Sequence, residues 1–104
     1  MAAAEIFRAL GDPIRLELVQ RLAKGERRTI SALSEELGIT RQGARKHLQV
    51  LADARVIVLH PEGRDVLGSL DPTTLDRAKH FITQLELQWD VRLDALKRFV
   101  DSSE

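Results

Sequence analysis

Apolar residues recur at three- and four-residue spacing through most of this chain, and glycine, proline and aspartate break the pattern into segments. The spacing predicts a first helix from about Ala3 to Leu10, with Ile6, Phe7 and Leu10 on one face, ending at Gly11. Asp12-Pro13 then signals a new start: aspartate as the cap, and proline at the first helical position, where its missing N–H costs nothing. The second helix is expected to place Leu16, Val19 and Leu22 inward, with Ile14 and Leu18 flanking, and to stop at Gly25. Ser31 to Leu37 reads as a third helix with Ala32, Leu33 and Leu37 inward, closed by a tight turn at Gly38. Thr40 caps a fourth that runs to about Ala54, with Ala44, Leu48 and Leu51 as its buried stripe.

The period then changes. Val56-Ile57-Val58-Leu59 and Val66-Leu67-Gly68-Ser69-Leu70 flank the turn-forming run HPEGRD, so a two-stranded hairpin is expected. Such a ribbon is marginal alone and must pack against the helices. Asp71-Pro72 repeats the cap-and-proline start and opens a long helix to about Val100. Its apolar positions Leu75, Ala78, Ile82, Leu85, Trp89, Leu96 and Phe99 step by three and four, and Arg92 fills the one remaining slot of that register. Phe81, Leu93 and Val100 widen the stripe. At 1.5 Å per residue this helix is ~45 Å long, more than the preceding ~70 residues can cover. Part of the stripe needs another partner, and the same helix of a second chain is the simplest.

Two short helices joined by a tight turn, followed at once by a hairpin, have the form of a helix-turn-helix with a wing. With Ala44, Leu48 and Leu51 inward, the outward face of the fourth helix carries Arg41, Gln42, Arg45, Lys46 and Gln49, with Thr40 at its start. Arginine and glutamine have the donor and acceptor geometry to read guanine and adenine edges bidentately, and Lys46 is a natural phosphate contact. Residues early in such a helix lie closest to the bases, so Arg41, Gln42 and Arg45 are the expected readers. Arg64 in the wing turn is placed to reach a phosphate or the adjacent minor groove. Gly43, inside the helix, permits either close approach to DNA or tight packing on the third helix. His47 is expected to pack or hydrogen-bond at the hairpin junction, and His60 to be a surface residue.

Charge sharpens this picture. The chain carries 16 basic and 16 acidic residues, which argues against indiscriminate coating of nucleic acid. Basic residues without acidic neighbours are confined to Arg41–Ala52, so any footprint should be small and local. With no cysteine, disulfides, thiolate metal sites and thiol switches are excluded. The three histidines are scattered, and only Asp76 and His80 share a helical face, too sparse a set for a structural metal site. No nucleophile elbow, glycine-rich phosphate loop or metalloprotease motif is present, and Glu35-Glu36 read as solvated surface, so no enzymatic role and no cofactor are expected. The N-terminus does not look like a secretion signal, and no apolar run approaches the ~20 residues that span a bilayer. The expected setting is the prokaryotic cytoplasm, in association with the nucleoid and not a membrane.

Three stretches together carry a resemblance: ALGDPIRLELVQRLAKGE, ISALSEELGITRQGARKHLQVLADARVI and EGRDVLGSL. Along nearly its whole length the chain resembles the ArsR-type winged-helix repressors, in a cysteine-free subgroup. The resemblance implies a homodimer formed by the first and last helices, seated on a pseudo-palindromic operator. It implies autorepression relieved by an inducer, an unidentified small molecule or protein. The groove-facing positions it carries over are Arg41, Gln42, Arg45 and Lys46, with Arg64 at the wing. Departures are also visible. The cysteine element of metal-sensing members is absent, only Asp76 and His80 remain of the ligands on the last helix, and Arg55 stands where a glycine is common before the wing.

The expectation is therefore a mainly α fold with a small β-hairpin wing, a winged helix-turn-helix in the order α-α-α-α-β-β-α. Residues 1–104 form one winged-helix DNA-binding domain, with 1–10 and 72–100 as dimerisation helices. Ile6, Phe7, Leu10, Leu75, Ile82, Leu85, Trp89 and Leu96 are the expected dimer-interface residues. The rival is a winged-helix protein-interaction module that does not bind DNA, and salt dependence separates the two.

Overall fold

The computed structural model describes residues 3–25 and 28–102. In chain order the elements are α1 (Ala3–Leu10), α2 (Pro13–Leu22), β1 (Arg28–Thr29), α3 (Ile30–Leu37), α4 (Arg41–Asp53), β2 (Ile57–Glu62), β3 (Asp65–Leu70) and α5 (Pro72–Ser102). The expected helices and hairpin are present, and β1 is an addition. It pairs antiparallel with β3, so the wing is a three-stranded sheet in the order β1-β3-β2. A two-residue strand carries no periodicity, and only the paired partner makes it one.

Local chemistry sets the boundaries. The Asp12 carboxylate accepts from the Ile14 and Arg15 amides at 2.9 and 3.1 Å, satisfying two amides at the start of α2. Thr29 and Thr40 do the same for α3 and α4, through the Ala32 and Gly43 amides. Gly38 ends α3 with φ 65°, a left-handed conformation that glycine adopts without a Cβ penalty. The hairpin is tighter than expected: its strands run to Glu62 and from Asp65, leaving Gly63 and Arg64 as the turn. Pro61 lies within β2, which is tolerated because β2 is the outer strand and needs no ladder donor on its open side. Before the wing, Arg55 adopts φ 60°, the left-handed conformation for which a glycine is suited, so the arginine carries a backbone cost of about 1 kcal/mol there.

The core lies where α1, α2, α3 and α4 meet the base of the sheet. Ile6, Leu18, Ile30, Leu33, Leu48, Leu51 and Val56 are its fully buried large side chains. The stripe expected for α4, Ala44, Leu48 and Leu51, is buried as read. That of α2 is not: Leu18 and Leu22 are buried, while Leu16 is 46% exposed. Both the 16/19/22 and the 14/18/22 lines are valid helical stripes, and α2 turns the second inward, where Leu22 meets Gly68 of β3. In α3 the buried residues are Ile30, Leu33 and Ser34, with Leu37 only partly covered and Ser34 satisfied by the Ser31 carbonyl.

α5 leaves this body early. Thr74 and Ala78 are its buried residues, and from Lys79 through Ser102 every side chain is exposed. Phe81 meets Phe7 of α1 with ring centroids 5.7 Å apart, and beyond that the helix extends away from the core, giving the protomer extents of 71 × 25 × 22 Å. No helix among the described residues is long and apolar enough to cross a membrane.

Candidate nucleic-acid interface

The outward face of α4 is built by its two ends. At the N-terminus, Thr40 Oγ1 accepts from the Gly43 amide at 2.9 Å, and a Cβ added at Gly43 would stand 3.0 Å from that same oxygen. Gly43 is thus matched to the cap, a reason distinct from the two weighed on sequence. Arg41, Gln42, Arg45, Lys46 and Gln49 are all exposed. Arg41, Gln42 and Arg45 border one open hollow at the start of the helix. Gln49 differs from the others: its amide donates to Asp53 Oδ1 at 2.8 Å, and it lines a cleft of about 240 Å³ between α4 and the wing together with Arg45, Leu59 and Val66.

The wing reaches the same edge. Arg41 Nη2 donates to the Arg64 carbonyl at 3.0 Å and lies 3.5 Å from Asp65 Oδ1, so the turn is tied to the first residue of α4. The Asp65 carboxyl is held below the usual carboxylate range, first by a hydrogen bond from the Ser31 hydroxyl and then by the Val66 amide, with the Ser31 amide and the Arg41 charge adding to it. Asp65 and Ser31 were not singled out on sequence; the signal was an acidic residue at the wing turn, opposite an arginine-led helix.

A second polar junction lies behind α4. Arg15 donates through Nε to the Ala9 carbonyl at 2.6 Å and through Nη2 to the Arg8 carbonyl at 3.3 Å, closing the end of α1. Its Nη1 sits 3.5 Å from His47 Nδ1, and Asp12 Oδ2 lies 3.9 Å from the same nitrogen. His47 therefore faces the α1–α2 junction and not the hairpin, correcting the expectation. His60 is exposed as expected and meets Ser69 Oγ at 3.1 Å.

Asp12 is also held below the ordinary carboxylate range, most strongly by the Arg15 amide. Carboxylates depressed in the folded state stabilise it fully above the unfolded value of about 3.9, and that contribution is lost as pH falls through the lowered folded value. The melting temperature of the wild-type chain is expected to drop as pH is lowered from 5 to 3, and that of Asp65→Asn to drop less. Equal slopes in parallel thermal melts would contradict this.

Of the expected interface residues, Leu85, Trp89 and Leu96 are at least half exposed and Ile82 is 44% exposed, while Phe7, Leu10 and Leu75 are partly covered by the core. Ile6 is a correction. It is 0% exposed inside the protomer, so it supports α1 from behind and has no surface to offer a partner.

Residues 10–60 match the family model described as a helix-turn-helix domain. The chain is 34% identical over 89 residues to the HTH-type transcriptional regulator CmtR of Mycobacterium tuberculosis, covering 86% of this chain and 75% of that one. It belongs to the ArsR-type winged helix-turn-helix transcriptional regulators. A solved ArsR-like transcriptional regulator from Rhodococcus sp. RHA1 superposes with a TM-score of 0.80 at 27% identity, over 93% of this chain and 91% of that one. A probable mercury resistance operon repressor of Streptomyces lividans is 36% identical over 74 residues, 70% of this chain, which spans only 58% of that relative's length. This ArsR-type chain is accordingly a DNA-binding transcriptional regulator. Among its described residues no group of three or more histidine, aspartate or glutamate side chains is placed to hold a metal ion.

Proposed function

We propose that this ArsR-type regulator is a repressor that binds a pseudo-palindromic operator as a homodimer and controls its own operon. The observation that carries the reading is the exposed run Arg41, Gln42, Arg45 and Lys46 on α4, with the Arg64 turn fastened beside it. Gln42 and Arg45 suit base edges, Lys46 and Arg64 suit phosphates, and Thr40 orders the turn from which the helix enters the groove. Gln49, engaged with Asp53 further along α4, stands at the rim of the footprint. α1 and α5 join the two copies, with Phe7, Leu10, Leu75, Ile82, Leu85, Trp89 and Leu96 at the seam. One continuous domain thus carries both the reading head and the means of pairing it.

Repression then follows from occupancy: two helices held at fixed spacing fill successive major grooves and deny the site to polymerase. An inducer, small molecule or protein, acts by changing that spacing, since a shift of a few ångströms spoils simultaneous contact. The cysteine-free sequence supports an inducer other than a thiolate-bound metal. The chain works in the prokaryotic cytoplasm with the nucleoid and carries out no catalysis.

The test is footprinting on the DNA upstream of the chain's own gene across a salt series. The expected result is a two-fold-symmetric footprint whose affinity falls by about 10³ or more between 50 and 200 mM salt, as counterion release requires for several phosphate contacts per dimer. No footprint, or an affinity indifferent to salt, would favour the rival interaction module.

A further inference from the structure

The Arg41 guanidinium is where the recognition helix and the wing turn meet, through one hydrogen bond and one ion pair of Nη2. Although the Arg41 side chain is 53% exposed, its Nη2 is directed at the Arg64 carbonyl and the Asp65 carboxylate, 3.0 and 3.5 Å away. Bidentate reading of a guanine needs two guanidinium N–H groups on one edge presented outward. With Nη2 held by a main-chain carbonyl and a carboxylate of the wing, the direction of the whole planar guanidinium is set by the wing, and turning its fork onto a base edge means working against that contact.

Asp65 makes the arrangement stiff. It is the first residue of β3, directly after the turn, and its side chain is 24% exposed, against 53% for Arg41. Its carboxylate accepts from its neighbour's Val66 amide at 2.8 Å and is also drawn to the Ser31 hydroxyl and amide in the first turn of α3, where the helix dipole favours an anion. Asp65 is therefore held by the strand that it begins, through the Val66 amide, and joined to the recognition helix through Arg41. Whatever fixes Asp65 fixes the backbone at Arg64, and with it the reach of the wing.

We propose that Arg41 is a positioning residue, a strut that sets the wing on the DNA, and that sequence is read by Gln42 and Arg45 without it. Asp65 is the strut's anchor. This rests on the DNA-binding reading above and deepens it by dividing the basic face into a part that places the wing and a part that discriminates.

The experiment uses the full-length chain and duplexes that the wild-type protein retains from a randomised pool, together with every single base-pair variant of the best of them. Arg41→Ala is expected to weaken binding to all of these duplexes by the same factor, about tenfold per half-site, leaving their rank order intact. Asp65→Asn should weaken all of them uniformly too, by less because the Arg64 carbonyl contact remains, and the double variant should be no weaker than Arg41→Ala alone, because that change already removes the pairing with Asp65. Hydroxyl-radical protection of the minor groove under the wing should disappear, while dimethyl sulfate protection of guanine N7 in the major groove persists. Loss of fold would remove both protections together, so this split is one that mere destabilisation does not produce. The proposal is overturned if Arg41→Ala flattens preference at one base pair of each half-site, or if the two substitutions multiply as independent effects. Should the wild-type chain retain no duplex at all, the DNA-binding reading itself fails, and this one with it.

Discussion

Replacing Arg45 with alanine lowers operator affinity by about 30-fold to 10⁴-fold, the largest single effect expected at the DNA surface. The figure follows from about 1–3 kcal/mol for each bidentate base contact, counted once in each half-site of a dimer. Arg45 lies on the exposed face of α4, one turn beyond the cap and beside Gln42, so its removal disturbs no core packing. Thermal melting and oligomeric state should therefore match the wild type, while preference at the contacted base pair relaxes. Adding Arg41→Ala removes the wing's strut as well, and the double variant should show no specific binding at any accessible concentration. The measurement is a fluorescence-anisotropy titration at fixed salt. If the double variant still bound specifically, α4 would present a different face to the groove.

The second large effect lies at the other end of the molecule. Leu85→Glu combined with Leu96→Glu is expected to convert the dimer to monomers, read by sedimentation equilibrium. Between Phe81 and Val100 α5 exposes ten large apolar side chains, Leu85 at 50% and Leu96 at 59% among them. Among the described residues, Phe7 against Phe81 is the aromatic contact on this stretch, and all ten side chains stay more than 40% exposed. Burying a leucine contributes about 1.5–3 kcal/mol, so four of them across a two-chain seam supply about 6–12 kcal/mol, as much as a micromolar dimer needs. The charged variant should keep its protomer fold, because Leu85 and Leu96 are both at least half exposed and lie outside the core. Its DNA affinity should fall to that of a single half-site. A variant that stays dimeric would move the interface away from distal α5.

Much of this arrangement was legible along the chain because it is written in local chemistry. The caps at Asp12 and Thr40 and the turn at Gly38 bracket α2, α3 and α4, and each is satisfied by hydrogen bonds within a few residues. The stripe of α4 was readable because Ala44, Leu48 and Leu51 step by four and three, while Val50 and Ala52 fall off that line and the first turn holds no large apolar residue. The stripe of α2 was not, since two apolar lines compete on one helix and the choice belongs to what lies above it. His47 could be assigned to a junction but not to the right one, because its partners Asp12 and Arg15 are more than 30 residues away.

Sequence alone determined the order of the main elements, their caps, and a basic helix followed by a wing, because these depend on side-chain period and on bonds between near neighbours. Tertiary structure decided that β1 completes the sheet, that α2 turns Leu18 and not Leu16 inward, and that Ile6 belongs wholly to the protomer core. It also decided that Arg41 hydrogen-bonds the wing turn. Each of these is a contact between segments distant along the chain, fixed by which faces pack together, and no local pattern of residues specifies that choice.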